Sequence, residues 1–497
     1  MASLCCAGRG AWAQAPASGL QVAPTLSVES GLFETRSRQE ADQNGREGVV
    51  RLSPGLRVSS FSGRLRGNFD YSGNLYYRRG RAASAGSDFQ NALSSAFTAE
   101  AVNNHLFVDV AANVSQQAIS AFGQQAVEGS AQTNVNRTEV ATASVSPYFK
   151  GRLGSWAEVD VRLTAGMTDS RGAQGSDSRT GTAVAVVRSP VRARGLGWSL
   201  TANQTQTAYR GLESTTSESA ALSAGLSYRP DPDWSFSASA GSERVDSGGA
   251  GVARDATTSS IGLQWQPSVR TSLQVDLADR YVGRTGRVSF SHRMPRSIVS
   301  YALTKDTSSS ADGLGQGKPV TLYQLLFQQK ASAVPDPVDR DQVVLAELAA
   351  LGVDPNQTVS LPVLVSSYSV QNRQDLSWVW TGLRTTFTAQ AYASSTRQVS
   401  TAEAEASFGE ATVIHGYTAS VAHRLTARET LTLGGSRRMT SGNAIQAGND
   451  LKSAFMTLNS QFGRRTSLLL TARYAVFNSV TTPYRETALS GSLNLRF

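Results

Sequence analysis

Alternation with a period of two residues constrains this chain more than any other feature. At its end, Leu489, Gly491, Leu493, Leu495 and Phe497 fall on one side of an extended backbone. Ser490, Ser492, Asn494 and Arg496 fall on the other. The pattern recurs at Ala454, Met456 and Leu458 against Ser453, Thr457 and Asn459, and at Leu273, Val275 and Leu277 against Ser272, Gln274 and Asp276. It recurs again at Leu222, Ala224 and Leu226 against Ser223 and Ser227, and at Val108, Val110 and Val114 against Asp109, Asn113 and Ser115. An extended chain places successive side chains on opposite faces, so each segment has one apolar and one polar face. The segments run to roughly ten residues or more, the length of a tilted strand that crosses a bilayer. Strands of soluble sandwiches are typically five or six residues long. No apolar run reaches the ~20 residues of a membrane helix. The expected fold class is therefore all-β: a transmembrane antiparallel β-barrel of the outer-membrane type.

Three further patterns agree. Aromatic residues gather near segment ends, at Tyr148, Trp156, Trp198, Tyr228, Trp234, Trp265, Tyr281, Trp378 and Trp380, as in interfacial girdles. Short connections such as Arg229–Asp233 and Gly463–Arg465 alternate with long polar ones such as Gln117–Arg137 and Ser394–Glu410, and in such barrels the short turns face the periplasm. The chain also stops on an aromatic of an alternating strand. Leu489, Gly491, Leu493, Leu495 and Phe497 thus form a candidate recognition signal for barrel assembly. Counting back from Phe497 gives about 22 strands (roughly 18 to 24), beginning near Gln21–Phe33, Gly48–Ser59 and Gly63–Tyr77. The bacterial outer membrane is the expected location.

The segment Ala13-Gln14-Ala15 before Pro16 has the small-x-small pattern of a signal cleavage site. Residues 1–15 are accordingly expected to be the remnant of a signal peptide, and residues 16–497 the barrel. The two Cys are adjacent, at Cys5 and Cys6, so no disulfide framework is expected. Net charge is +9, but the Arg residues sit singly at segment ends and form no stripe of the kind that binds nucleic acid. Many fall at short turns: Arg188, Arg192, Arg194, Arg229, Arg270, Arg293, Arg296, Arg424, Arg428, Arg464 and Arg465. There they suit acidic headgroups of the inner leaflet or solubility of the turns, and less strongly the attraction of an anionic polymer.

Residues 308–364 break the rhythm. Val320, Tyr323 and Leu325–Phe327 suit one apolar helix face, and Asp341–Leu351 reads as an amphipathic helix after Pro335 and Pro337. Strand parity places this insertion on the extracellular side, where it plugs the lumen or caps the mouth, the alternative being a structured surface loop.

There is no Walker loop, dinucleotide fingerprint or zinc-ligand cluster, and no cofactor or metal is expected. The four His are His105, His292, His415 and His423, and none stands at ligand spacing with another. His423 shares the apolar side of its strand with Tyr417, Ala419 and Val421 and has no orienting acid nearby, so no catalytic residue is expected. What remains is the polar face. Its lumen-lining candidates are Asp109, Asn113, Asp160, Arg162, Asn203, Asp276, Arg280, Arg384, Gln390, Tyr392, Asn459 and Arg473. Mixed amides, charges and Tyr suit a water-filled path for polar solutes or glycans, although barrel interiors are polar whatever they carry.

The runs LRVSSFSGRLRGNFDYSGNLYY, NALSSAFTAEAVNNHLFVDVAANVSQQAISAFG and GRVSFSHRMPRSIVSYALTKD resemble an outer-membrane family that accompanies PEP-CTERM/exosortase exopolysaccharide gene clusters. The likeness spans nearly all of the mature chain. One departure is GLFETRSR after the first strand, in place of a more acidic, Asn-containing turn. The resemblance implies a barrel tied to production or export of polysaccharide, with no known reaction. Expected partners are outer-membrane lipid, the barrel-assembly machinery, and exopolysaccharide with its periplasmic export proteins; no nucleic acid is expected. Three functions are in play. The first is a pore, because about 22 strands enclose a lumen that side chains cannot fill. Siderophore transporters of that size carry a plug before the barrel, and here the first strand is expected within a few residues of the cleavage site. The second is a structural or adhesive surface protein with a closed lumen. The third is a barrel enzyme acting on lipid or glycan.

Overall fold

The structure, a computed structural model, describes residues 20–497 except 38–43, 61–62, 81–88, 128–135, 172–176, 191–193, 211–214, 247–252, 399–410, 444–445 and 464. Between 309 and 368 it describes Tyr323, Leu326, Phe327, Lys330, Arg340, Val343, Val344, Leu345 and Leu348. The expected signal-peptide remnant lies outside the described residues.

Twenty-two strands form one sheet. They are β1 (Gln21–Ser37), β2 (Gly45–Ser60), β3 (Leu65–Gly80), β4 (Phe89–Val102), β5 (Leu106–Ala118), β6 (Arg137–Leu153), β7 (Ala157–Ser170) and β8 (Asp177–Arg188). Next come β9 (Gly195–Arg210), β10 (Thr215–Asp231), β11 (Trp234–Asp246), β12 (Arg254–Ser268), β13 (Thr271–Arg280), β14 (Gly283–Arg293) and β15 (Ser297–Ser308). The last seven are β16 (Ser369–Thr381), β17 (Thr385–Gln398), β18 (Thr412–Arg424), β19 (Glu429–Thr440), β20 (Asn449–Gln461), β21 (Thr466–Asn478) and β22 (Tyr484–Arg496). Each strand pairs antiparallel with its successor. β1 then pairs with β22, from Thr25 opposite Arg496 to Ser37 opposite Tyr484, and closes the cylinder. Closure leaves no edge strand with unpaired backbone groups, which is the condition for crossing a bilayer with strands.

Alternation decides which face meets lipid. Leu489, Leu222, Leu226, Ile261 and Leu470 are exposed on the outer surface, while Ser492, Glu486, Thr457 and Asn459 are buried on the inner one. A soluble protein would not present such a continuous apolar exterior. On one rim the connections run from two to six residues. On the other they reach eighteen between β5 and β6 and sixty between β15 and β16, although four of them, the two-residue β13–β14 turn the shortest, are six residues or fewer. The short-turn rim is the periplasmic one. Its β4–β5 turn places Asn104 at φ 58°, a left-handed conformation that Asn tolerates better than most residues. An aromatic girdle marks this rim: Trp156 stacks on Trp198, Trp234 meets Trp265, and Trp378 and Trp380 flank Phe387. The chain is an outer-membrane β-barrel.

Tyr148 departs from the girdle expectation. It is buried inside the barrel, stacked on Phe107 with ring centroids 5.1 Å apart and the Arg162 guanidinium 4.1 Å above its ring. The reason is parity, since Tyr148 shares its face of β6 with Ser146, which bonds Thr164 across the inner wall.

Candidate lumenal site

The inner wall is built largely of hydroxyls. Cross-strand pairs Ser146–Thr164, Thr180–Thr207, Ser239–Ser260, Ser436–Ser453 and Thr457–Thr471 bond each other at 2.7 to 3.2 Å. Short β-compatible polar side chains satisfy one another there and leave the interior open. Among these lie ion pairs that bridge strands: Glu29 with Arg51, Arg57 with Asp70, Asp109 with Arg162 at 2.8 Å, and Arg473 with Glu486 at 2.7 Å.

One sector of wall encloses a cavity of about 360 Å³. Asn203, Thr205, Ser219, Ser239, Ser260 and Thr304 supply amide and hydroxyl groups to it. Its charged side is a chain of alternating sign. Arg280 bonds Glu243 through Nε at 3.2 Å and Asp306 through Nη1 at 2.6 Å. Arg373 lies beyond, held by Asp375 at 2.7 Å and 5.5 Å above the Tyr392 ring. Glu243 comes from β11, Arg280 from β13, Asp306 from β15, and Arg373 with Asp375 from β16. Clamping Arg280 between two acids from different strands fixes a guanidinium that would otherwise sweep the cavity.

The sequence-level candidates are spread around the wall and do not form one site. Asp109 and Arg162 meet, and Asp160 faces Lys150 across the β6–β7 ladder. Asn203 and Arg280 line the cavity. Asn113, on β5, pairs opposite Thr142. Asp276 accepts a bond from Gln274 at 2.7 Å, Gln390 pairs opposite Ser377, and Asn459 is buried opposite Thr430. Tyr392 and Arg473 hold the inner contacts given above. Arg384 differs: it is exposed in the short periplasmic turn between β16 and β17, because β16 ends at Thr381 and β17 begins at Thr385. Glu243, Asp306 and Arg373 were not foreseen. Their signal was a charge on the polar face of neighbouring strands. The described members of the arginine set at short turns do lie at that rim, and Arg192 and Arg464 fall outside the described residues. His292 and His423 sit at the same rim, each with Nδ1 2.8 Å from a Thr hydroxyl, of Thr271 and Thr385. Among the described residues no three His, Cys, Asp or Glu gather as a metal-ligand set.

Two connections enter the lumen. The described positions of the 308–364 insertion are helical at Tyr323, Leu326, Phe327 and Val343–Leu345, with Val320 and Leu325 outside the described residues. Leu326, Val344 and Leu348 are fully buried against Ile298 and Val379. Those two residues are register partners on the inner face, ten residues below the strand ends at Ser308 and Ser369. At about 3.3 Å per residue the insertion therefore descends roughly 30 Å along the wall, to the periplasmic end.

The second connection is the β5–β6 loop. Asn136 closes it on itself, accepting from the Ser120 amide at 2.8 Å and donating to the Ser120 and Gln124 carbonyls. It then reaches the far wall. Thr440 Oγ1 and Asn449 Nδ2 donate to the Ala121 carbonyl at 3.1 and 2.9 Å, and Tyr484 donates to the Gln125 carbonyl at 2.7 Å. Val127 packs on an inward apolar cluster of Leu451, Phe477 and Tyr484. The sequence marked this connection, Gln117–Arg137, only as a long polar one. Its seat was visible as apolar residues on a polar face, at Leu451 and Phe477.

No family model matches the chain, and no curated protein matches it in sequence. Solved structures do match in shape. The FrpB iron transporter from Neisseria meningitidis (F5-1 variant) aligns with TM-score 0.50 and 11% identity, covering 96% of this chain and 82% of that one. The siderophore receptor PirA from Acinetobacter baumannii aligns at 0.47 and 10%, covering 96% and 80%. A ferric enterobactin receptor mutant from Pseudomonas aeruginosa aligns at 0.47 and 10%, covering 97% and 82%. At these identities the likeness speaks to the barrel fold.

Proposed function

We propose that this protein is an outer-membrane channel for polyhydroxylated solutes, narrowed from within by its own β15–β16 insertion. One observation carries the reading: the cavity of about 360 Å³ whose wall offers hydroxyls, an amide and a clamped arginine, a surface matched to sugar hydroxyls. The size of a 22-stranded lumen supports it. The sequence resemblance to barrels of exopolysaccharide gene clusters supports a polymer or its fragments as the solute, and periplasmic export proteins as partners. Transport by the neighbours is a property of those proteins; iron is a weaker candidate cargo here, because the cavity offers hydroxyls and paired charges.

Planar-bilayer recording of the refolded chain tests the reading. Val344→Asp with Leu348→Asp places two charges in the apolar seat at Ile298 and Val379 and should release the insertion. We expect a several-fold rise in conductance over the wild type, and block of the open variant by maltooligosaccharides. Silence in both proteins, with folding shown by heat-modifiable migration, would leave a surface scaffold with a closed lumen. That second reading is favoured by the two connections packed inside the barrel. A strain lacking the chain should retain its exopolysaccharide if the polymer is the cargo.

A further inference from the structure

We propose that Arg438 is an oxyanion-binding site in the lumenal wall, held in its resting state by Gln125, and that a carboxylate-bearing sugar arriving there displaces the β5–β6 loop. Arg438 projects inward from β19 and is only 8% exposed. Its Nη1 donates to Gln125 Oε1 at 3.1 Å. Nε and Nη2 meet no acceptor among the described residues. Every other inward arginine considered above has a carboxylate partner. Arg438 has a neutral amide, and the charged side chain that bears on it is a second cation, Arg137. A buried guanidinium bonded at one of its three nitrogens, with no counter-charge among the described residues, is costly to hold.

Local construction keeps the site in place. Tyr392, Gly416, Arg438 and Leu451 follow one another along a single rung from β17 to β20. A Cβ on Gly416 would lie 2.0 Å from Cε1 of the Tyr392 ring, so the glycine exists to let that ring lie flat beside the arginine. On the other side Leu451 begins the apolar seat of the loop. Arg438 thus stands on a rung between Gly416, with the Tyr392 ring packed over it, and Leu451, and Gln125 takes its Nη1.

An amide oxygen presents one partial charge to a fork built for two. A carboxylate presents two full acceptors in the matching geometry and makes bonds roughly twice as strong. Gln125 holds Nη1, and Nε and Nη2 are fully covered, so an anion reaches their edge only when the groups packed over the guanidinium, Gln125 among them, move aside. Among the described residues Gln125 and Ala121 carry the four bonds that tie the loop to β19, β20 and β22, so moving Gln125 aside to admit an anion loosens the loop. The ligand class is an acidic saccharide, or the carboxylate of its uronic residue. Neutral sugars would pass without touching the latch.

The test is hydrogen–deuterium exchange of amides 119–127 in the full chain refolded in detergent. The probes are sodium glucuronate, glucose, and sodium chloride at matched ionic strength. In the wild type, glucuronate should speed exchange several-fold, and glucose and chloride should not. Arg438→Gln should abolish that response. Gln125→Glu places a carboxylate on the arginine permanently, and should slow basal exchange about tenfold while also removing the glucuronate response. Equal acceleration by chloride would reduce the effect to screening and overturn the proposal. So would a wild type indifferent to glucuronate, or a Gln125→Glu loop no better protected than the native one. None of these readouts depends on conductance, so the channel reading can fail separately.

Discussion

Glu243 and Asp306 both bond Arg280, but they are not equivalent. The Glu243 side chain is 2% exposed and that of Asp306 36%. Glu243→Gln should therefore cost about 1–2 kcal/mol, reduced from the full cost of breaking a buried pair because Asp306 remains. Asp306→Asn should cost under about 1 kcal/mol. The temperature at which the heat-modifiable band is lost would order the two. Gly416→Ala presses on the Tyr392 ring and should lower that temperature too, by about 1–3 kcal/mol of overpacking. At this scale the sequence was partly legible. Parity placed Asp109, Arg162 and Arg280 on the inner face. It could not show that Arg280 meets Glu243 and Asp306, since those contacts bring together strands 26 and 37 residues apart in the chain. Arg384 was misplaced because alternation carries no mark of where a strand bends into its turn.

Strands themselves read well. The early segments expected at Gln21–Phe33, Gly48–Ser59 and Gly63–Tyr77 overlap β1, β2 and β3, with no end moved by more than four residues. A parity test follows on β22. Leu489 is 62% exposed to the lipid side near mid-strand, while Ser490 points inward. Leu489→Arg should destabilise the barrel by about 2–4 kcal/mol and Ser490→Arg by far less, measured as the shift in urea midpoint in lipid vesicles. The connections were less legible. Their polar composition suggested solvent for the β5–β6 loop, but a loop packed on a wall needs few apolar residues of its own when the wall supplies them. The informative residues were on the strands: Ile298 and Val379 under the insertion, Leu451 and Phe477 under the loop. An apolar residue on the wet face of a barrel strand marks where a connection comes to rest.

For the whole molecule, the strand count of about 22 and the closed cylinder came directly from periodicity, because one repeated two-residue pattern specifies every element. The lumen contents did not, because they depend on which wall a loop reaches. The seam between β1 and β22 and the tie from Tyr484 to Gln125 share a strand. Tyr484 sits 359 positions from its partner, at the start of the last strand to be made. Contacts that distant form late, after the intervening chain has been ordered. The β5–β6 loop therefore gains its last tie only when the final strand is in position, after those to β19 and β20. A half-assembled barrel holds it less firmly, and proteolysis at the loop should fall further when the seam zips. The tyrosine works as a receipt for completed assembly: a barrel whose last tie is made is, by that fact, a barrel whose wall is whole.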